Sequence, residues 1–388
     1  MIHALTLDIE KDGWNNSKGF IKREVEMPQL NEAAHAMDAS SVIVEVHVAG
    51  VCGSDRGIWN RAAFTDLFHS SLQKEGKNLR VLGHEFVGKI VDAGSFVSHL
   101  YGIEKGDMVS GDSHVTCGKC YQCRMAEQEV CQDQKILGIS TDGIFAQYVK
   151  IPAKNLWKVN TDVVRPEIAA MFDPFGNAVH ALSKVDLRGA DIAIFGCGQI
   201  GLFSVALAKQ FGATNIIAID VNPKNVEMAK SMGAHHGIVI AKTEKEFPYA
   251  PDTEAIATIQ QITHGKGVDV SMEMAGFNSS INNCIEATRF GGDVILFGIK
   301  DGDVIIPKFS NLIVKGLTLH SIIGRQLFQT WQVAGSVLGN VENGVQESLW
   351  NTMMSGGNET VIALSEFSAE LMEDRMAKYP KLVFNMRA

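Results

Sequence analysis

Four cysteines lie close together in the sequence, with the spacing C-x2-C-x2-C-x7-C. Thiolates at this spacing can converge on one tetrahedral zinc and leave no ligand position open, which is the arrangement of a structural zinc site. The alternative is a chance cluster of buried cysteines without a metal. We expect one structural zinc, held by Cys117, Cys120, Cys123 and Cys131.

A second set of metal-ligand side chains is spread over a longer stretch. Cys52 in VCGSD and the pair His84 and Glu85 in VLGHEFVG are flanked by glycines, and thiolate and imidazole suit zinc. Asp173 in AMFDPFGNAVH is a further candidate. Taken singly, Cys52 could be a buried apolar cysteine, His84 a core histidine and Asp173 a helix cap. Their combination predicts a second metal site.

A glycine motif follows a strand-like segment and precedes a helix-like one. Gly196, Gly198 and Gly201 form GCGQIG between DIAIF and IGLFSVALAKQF. Glycines in this context allow a tight turn and close approach to a pyrophosphate at a helix N-terminus. Asp220 ends the next strand, NIIAID, where a carboxylate accepts ribose hydroxyl hydrogens and repels a 2′-phosphate. We expect NAD; the alternative is a glycine-rich turn in another α/β protein.

Two kinds of region must position these residues. Residues 39–160 contain short runs rich in Val, Ile and Gly, which predict strands joined by turns. From Pro166 the chain alternates strand and helix signals, as in a doubly wound parallel sheet. From about Gly324 helix and strand signals return. We predict an α/β fold with a β-rich domain at 1–165 and 325–388 and a Rossmann domain at 166–324.

Bulk properties narrow the function. The chain of 388 residues is too long for one typical core, and its net charge of −9 disfavours nucleic acid as a partner. We find neither a leader-like N-terminus nor an apolar run of about 18 residues, so export and membrane insertion are not expected. Seven cysteines are an odd count for a disulfide framework, and four of them are clustered at metal-binding spacings, so we expect a reducing cytoplasm. A small-molecule substrate is the better expectation.

These motifs together resemble a known family. CGSD (52–55), GHE (83–85), the four cysteines and GCGQIG occur in the order and approximate spacing of the medium-chain, zinc-dependent alcohol dehydrogenases, from about residue 35 to about residue 335. The resemblance implies a GroES-like fold for the β-rich catalytic domain and a homo-oligomer, tetramer or dimer. VSGDSH (109–114), FDPFGNAVH (172–180) and GRQLFQTW (324–331) resemble the branch that oxidises L-threonine.

The resemblance also implies residue roles. Cys52, His84 and Glu85 would bind the catalytic zinc, with Asp173 a fourth ligand or a nearby acid. Ser54 would relay the proton of a secondary alcohol, and His114 would lie in the substrate pocket. Zinc would lower the pKa of the alcohol, and hydride would pass to NAD. Further positions implied for NAD are Ile200, Phe297, Gly298, Ile299, Ile322 and Ile323.

The sequence departs from the threonine branch at several positions. Gly57 stands where that branch has a histidine that completes the proton path; a water chain, or His69 in the loop expected over residues 61–79, could substitute. Asn225 replaces an arginine near the adenosine ribose. Arg325 could contact a cofactor phosphate or a substrate carboxylate, or form a structural ion pair.

Two alternatives to threonine oxidation therefore stay open. The near one is a polyol, sugar or butanediol dehydrogenase, because CGSDRGIWN resembles the sugar enzymes' version of this segment. The distant one is a non-catalytic scaffold that binds zinc and nucleotide. Retention of every candidate metal ligand argues against the scaffold, and a count of zinc per chain would distinguish the two.

Overall fold

The chain divides into two compact units. The computed structural model describes residues 1–15, 17–241, 247–300 and 302–388. The β-rich unit comprises Met1–Pro174, Gln326–Val341 and Met353–Ala388. The parallel-sheet unit comprises Phe175–Arg325 and Glu342–Thr352.

The described residues contain eighteen strands. They are β1 Ile2–Asp8, β2 Ile21–Val25, β3 Ser41–Val51, β4 Leu79–Val81, β5 Glu85–Ala93, β6 Met108–Gly111, β7 His114–Val115, β8 Lys135–Ile136, β9 Tyr148–Pro152, β10 Leu156–Lys158, β11 Asp191–Phe195, β12 Asn215–Asp220, β13 His236–Val239, β14 Val268–Glu273, β15 Thr288–Leu296, β16 Thr318–Ser321, β17 Val361–Ala363 and β18 Leu382–Asn385.

The helices are concentrated in the second half of the chain. They are α1 Gly53–Trp59, α2 Thr65–Glu75, α3 Val97–Tyr101, α4 Tyr121–Arg124, α5 Pro166–Ala169, α6 Phe172–Leu182, α7 Gln199–Gln210, α8 Pro223–Ser231, α9 Thr253–Ile262, α10 Asn278–Ala287, α11 Ser310–Val314, α12 Gln329–Gly339, α13 Val345–Ser348 and α14 Ala369–Lys378. None of those in the described part of the chain is long and apolar enough to cross a membrane.

β3 organises the β-rich unit. It pairs with β5, β9 and β18 in a sheet of order β10-β6-β5-β3-β18-β17, while β2-β1-β4 and β7-β8 form smaller sheets. Its valines at 42, 44 and 46 are fully buried and pack in a core that includes Phe86, Phe145 and Phe384. Apolar residues at every second position bury one face of a strand. The pairing of β3 with both β5 and β18 brings three distant segments side by side.

The segment after α1 differs from the sequence expectation. We expected a loop over residues 61–79, whereas the structure contains the helix α2. Phe68 and Leu72, four residues apart, are fully buried, and Trp14 packs against Phe68 with ring centroids 5.1 Å apart. Side chains at this spacing share one helix face, so the partner that stabilises α2 comes from a remote part of the chain.

The parallel-sheet unit has the predicted doubly wound order. Its six strands run β13-β12-β11-β14-β15-β16, and every neighbouring pair is parallel. All five residues of β11 are buried, as expected for the centre of a parallel sheet. The strand order reverses direction between β11 and β14, and ligands of such sheets bind at the carboxyl ends of the strands at this point.

Candidate active site and metal sites

Sheet register brings Cys52, His84 and Glu85 together. Cys52 directly follows β3, and His84 directly precedes β5. The two strands are antiparallel, and Gly50 is paired with Glu85, so the end of β3 meets the start of β5. One ligand atom from each of the three side chains lies within 4.8 Å of the other two. The structure therefore places the predicted ligand types in one cluster; Asp173 is not a member of it.

Asp55 holds the cluster in shape. Its Oδ2 accepts the backbone N–H of Cys52 at 2.8 Å, and its Oδ1 lies 3.6 Å from His84 Nδ1. The other ring nitrogen, Nε2, is 3.2 Å from Ser54 Oγ. Burial lowers the pKa of His84, but Asp55 and Cys52 outweigh this effect and raise it to about 10. When a carboxylate faces one ring nitrogen of a histidine, here Nδ1, it orients the other nitrogen, Nε2, toward a metal.

Glu85 is held from the opposite side. Its Oε2 forms an ion pair with Lys381 Nζ, and neither side chain has exposed surface. Glu85 Oε1 is buried and has no hydrogen-bond partner among the described residues. A buried carboxylate oxygen without a donor is costly unless a cation satisfies it.

The cluster fits a zinc ion. It combines one sulfur, one imidazole nitrogen and one carboxylate oxygen, which are the three donor types that zinc binds. The thiol of Cys52 and the carboxyl groups of Asp55 and Glu85 surround the imidazole of His84. Three protein ligands leave a fourth position for a substrate oxygen, as in catalytic zinc sites.

The four-cysteine lobe forms a different kind of cluster. Cys117, Cys120, Cys123 and Cys131 place their sulfurs within 4.8 Å of one another. Backbone N–H groups of Cys117 and Cys120 donate to the sulfurs of Cys131 and Cys117, each at 3.3 Å. The backbone N–H of Cys123 helps to lower the pKa of Cys120 to about 6. As thiolates, four cysteines in this arrangement would complete a tetrahedral shell around one zinc ion without an open position.

Three segments singled out in the sequence meet in the β-rich unit. Asp112 of VSGDSH accepts the indole N–H of Trp331 at 3.2 Å. The next residue, Ser113, donates its backbone N–H to Asp173 Oδ2 at 2.8 Å. Phe172 stacks on Trp331 with ring centroids 5.8 Å apart. The segments 109–114, 172–174 and 326–331 therefore form one buried network, to which Asp173 belongs.

The other predicted residues of the β-rich unit lie as follows. His114 begins β7, is half-buried, and donates its backbone N–H to Asp112 Oδ1. His69 lies on α2, with its ring edge-on to Trp14 at 5.1 Å. A Cβ atom at Gly57 would lie 2.7 Å from Cβ of Ala63. The chain before α2 thus fills the space that a side chain at position 57 would need.

The glycine motif forms the turn between β11 and α7. Gly196 has φ of +102°, and a Cβ atom at Gly201 would lie 1.9 Å from the carbonyl oxygen of Gly196, so both positions require glycine. A Cβ atom at Gly198 would meet no protein atom within 4 Å. Because packing does not demand glycine there, the open space at the helix N-terminus fits an approaching phosphate.

The remaining dinucleotide candidates lie at the carboxyl edge of the same sheet. Asp220 ends β12, and its Oδ2 accepts the backbone N–H of Cys197 at 2.7 Å and the side-chain amide of Asn225 at 3.3 Å. Arg325 is buried and donates to Asn177 Oδ1 at 3.1 Å. The others lie at the start of α7 or directly after β15 and β16: Ile200, Phe297, Gly298, Ile299, Ile322 and Ile323.

Sequence reasoning missed three residues around the metal cluster: Asp55, Gly50 and Lys381. Asp55 was within the CGSD motif but was assigned no role, although a carboxylate three residues after Cys52 is a capping-box pattern. Gly50 and Lys381 carry no local signal, because their meaning depends on strand pairing.

Comparisons with known proteins agree with this arrangement. Residues 38–161 match the alcohol dehydrogenase GroES-like domain, and residues 200–339 match the zinc-binding dehydrogenase domain. The chain is 35% identical to L-threonine 3-dehydrogenase of Bacillus velezensis, over 83% of this chain and 85% of that one. It is 34% identical to the enzyme of the same name from Shewanella sediminis, over 78% of this chain and 82% of that one.

Solved structures share the fold. Galactitol-1-phosphate dehydrogenase of Escherichia coli superposes with a TM-score of 0.77 at 21% identity, over 99% of both chains. 2R,3R-butanediol dehydrogenase of Bacillus subtilis superposes with a TM-score of 0.75 at 22% identity, over 99% of both chains. The predicted fold class, a GroES-like domain with a Rossmann domain, is confirmed.

A metal-ligand cluster and a dinucleotide-binding turn on one chain define a zinc-dependent dehydrogenase as the class. The chain belongs to the zinc-dependent, medium-chain alcohol dehydrogenase family. The predicted alcohol dehydrogenase activity is thereby confirmed, with zinc and NAD(P) as cofactors and a small-molecule alcohol as substrate.

Proposed function

We propose that the chain oxidises the secondary hydroxyl of L-threonine to 2-amino-3-oxobutanoate and transfers the hydride to NAD. The observation that carries this proposal is the buried network of Asp112, Asp173 and Trp331, which joins the three segments that resemble the threonine branch. The curated relatives at 34–35% identity are named L-threonine 3-dehydrogenase.

The side chains in and around the cluster have different proposed roles. Cys52, His84 and Glu85 would hold zinc, which supplies Lewis acidity when bound. Ser54 Oγ, 3.2 Å from His84 Nε2, is the hydroxyl next to the cluster that can accept and pass on the substrate proton. Asp55 fixes the imidazole, and the turn at Gly196–Gly201 orients the dinucleotide. Asp220 favours NAD over NADP because its carboxylate repels a 2′-phosphate.

A substrate panel tests the proposal. NADH formation by the purified protein is followed with L-threonine, D-threonine, sorbitol, glucose and 2,3-butanediol. We expect the highest kcat/KM with L-threonine and negligible turnover of its enantiomer. Turnover of a polyol without turnover of L-threonine would contradict the substrate and leave the reaction class intact.

A polyol or butanediol dehydrogenase is the second candidate. The observation in its favour is Gly57, because the contact with Ala63 leaves no room for the histidine of the threonine branch. The same substrate panel separates the two candidates.

The proposal includes one catalytic and one structural zinc per chain. It is supported by the difference between the clusters: three mixed ligands near Ser54 and four sulfurs in the lobe. Metal analysis of the purified protein should give two zinc ions per chain. One zinc, retained when Cys52 is replaced, would favour a scaffold.

We also propose a homo-oligomer, a tetramer or dimer, in a reducing cytoplasm. The compartment is supported by the seven described cysteines, none of which is in a disulfide. The support for assembly is β16, which ends the described sheet. Exposed apolar side chains lie on β16 and on the segment with α11 that precedes it: Leu319, Phe309, Ile313 and Val314. An unpaired edge with apolar surface is suited to association. Measured by light scattering, the Leu319→Lys variant should have a lower molecular mass than the parent protein, because it should assemble less. An unchanged mass would show that this edge is not part of the interface.

A further inference from the structure

The β-rich unit contains a cavity that is not part of the cluster of Cys52, His84 and Glu85 (the Cys52 cluster). Its volume is about 1090 Å³, and residues of β1, β2, β4, β7 and β9 line it together with the segments that join these strands. None of the three cluster residues is in the lining. Cavities of roughly 300–1,000 Å³ are typical of small-molecule sites, so this one is large enough for a ligand.

One side of the cavity is apolar. Ile2 and Ala146 belong to a small hydrophobic cluster that is distinct from the main core of the unit, and Val25 and Val81 pack against this cluster. All four side chains line the cavity, where the two valines keep part of their surface exposed. Burial of this surface under an apolar ligand is favourable.

The cavity is also rich in positive charge. Five lysines and three acidic residues line it, although the whole chain has a net charge of −9. The charged residues are Lys77, Lys119, Lys135, Lys150, Lys154, Glu26, Asp133 and Asp142. This local excess of lysine favours an anionic ligand over a cationic one.

Some of these lysines already have a carboxylate partner. Lys77 pairs with Asp142, and Lys150 pairs with Asp38, each at 3.0 Å. Lys154 donates to the backbone carbonyl of Thr116.

The ammonium groups of Lys119 and Lys135 are exposed and have no ion-pair partner among the residues that the structure describes. Cys117 also lines the cavity, but its sulfur accepts the backbone N–H groups of Lys119 and Cys120 at 3.5 and 3.3 Å. The two ammonium groups are therefore available to a ligand.

A further wall of the cavity borders the Cys52 cluster. Gly143 lines the cavity, and its backbone N–H donates to the carbonyl oxygen of Val81 at 2.8 Å. The next N–H, of Ile144, donates to the carbonyl oxygen of Gly83 at 3.0 Å. Gly83 directly precedes His84, so a ligand in the cavity would rest on the backbone layer that packs against a metal-ligand residue.

We propose that this cavity is a second ligand site, which binds a chain-like carboxylate with its apolar tail on Val25 and Val81 and its anionic head beside Lys119 and Lys135. The site is independent of the proposed alcohol substrate and of the roles of the two metals. A ligand that binds only the folded chain stabilises it, and the effect should be largest in the wall that it contacts.

Titration calorimetry with decanoate, below the concentration at which it forms micelles, tests the site. We expect one saturable site per chain, binding of decyltrimethylammonium that is about 10-fold weaker or less, and no binding of acetate, which lacks the tail. Cys52→Ser should bind decanoate as tightly as the parent protein. Loss of binding in this variant would place decanoate at the Cys52 cluster and overturn the inference.

Paired variants locate the head of the ligand. Lys119→Gln/Lys135→Gln should weaken decanoate binding by about 10-fold, because two charge contacts are lost. The matched control is Lys105→Gln/Lys184→Gln, which removes two exposed lysines outside the cavity and should bind like the parent protein. Unchanged affinity in the first double variant, or equal loss in both, would contradict the site.

Two measurements locate the tail. Val25→Thr keeps the size of the side chain and should weaken binding by about 3-fold, because a hydroxyl replaces a methyl group on the apolar side. In hydrogen-exchange mass spectrometry, decanoate should slow exchange in residues 143–145, whose N–H groups donate to Val81, Gly83 and Leu82. Slowing confined to other segments would overturn the inference, and so would binding that requires the assembly to dissociate, since the cavity would then be an interface between copies of the chain.

Discussion

The four-cysteine lobe and the Cys52 cluster both gather metal-ligand side chains, but they are built differently. The lobe takes all of its ligands from one stretch of chain, residues 117–131, around the short helix α4. The Cys52 cluster takes its ligands from the ends of two paired strands, and it is surrounded by the charged groups of Asp55 and Lys381.

On the proposed assignment of the two metals, this difference separates a stabilising site from a reactive one. Four sulfurs supported by backbone N–H groups satisfy a zinc ion completely, so such a site can hold a loop together but offers no place for a substrate. Three ligands of different types leave one position open. The residues around them orient these ligands and tune their charge. The comparison predicts that damage to the two sites has different consequences.

The largest effects are expected from replacing one cysteine in each site. Cys52→Ser should abolish turnover and leave the thermal unfolding midpoint nearly unchanged, because strand pairing and a hydrophobic core hold the sheet around it. Cys120→Ser should lower the Tm by about 5 °C or more, because a structural metal contributes folding free energy. Calorimetry and NADH formation measure the two properties. The reverse pattern would exchange the two metal roles.

The two regions also differ in how far the sequence predicts them. The spacing of Cys117 to Cys131 is enough to predict the lobe, because neighbouring ligands need no knowledge of the fold. Cys52 and His84 could be proposed from glycine-flanked motifs, but their convergence depends on the register of β3 with β5. Lys381 was not predicted, because its contact with Glu85 depends on a third strand.

The parallel-sheet unit was predictable because each of its elements has its own local sequence pattern. β11, the glycine turn and α7 follow one another directly, and Asp220 ends the next strand. The helix α2 was not predicted, since its buried face is completed by Trp14, more than fifty positions earlier. Tertiary partners of this kind override weak local patterns.

An intermediate effect is expected for Asp55, which supports the cluster without being a ligand. Asp55→Asn keeps the size of the side chain and removes the charge that faces His84 Nδ1. Metal affinity at the Cys52 cluster, or turnover, should fall by about 10- to 100-fold, whereas the zinc of the lobe should stay in place. Zinc counted per chain after dialysis against a chelator measures this.

Asp133→Asn is the matched control for Asp55→Asn, because Asp133 is an exposed carboxylate near the lobe cysteines. It should change neither metal. Equal loss of zinc from both sites in Asp55→Asn would show a general loss of stability instead of a local role for Asp55.

The smallest effect is expected at Gly57, on the helix that follows Cys52. Gly57→Ala should destabilise the protein by about 1–3 kcal/mol, because the new Cβ atom would lie 2.7 Å from the Cβ atom of Ala63. Gly53→Ala, on the same helix, meets no atom within 4 Å and is the control. Urea unfolding measures both variants. For the same steric reason Gly57→His should not raise turnover with L-threonine. A folded Gly57→His variant with higher turnover would show that the backbone at Ala63 can move and that a histidine can complete the proton path.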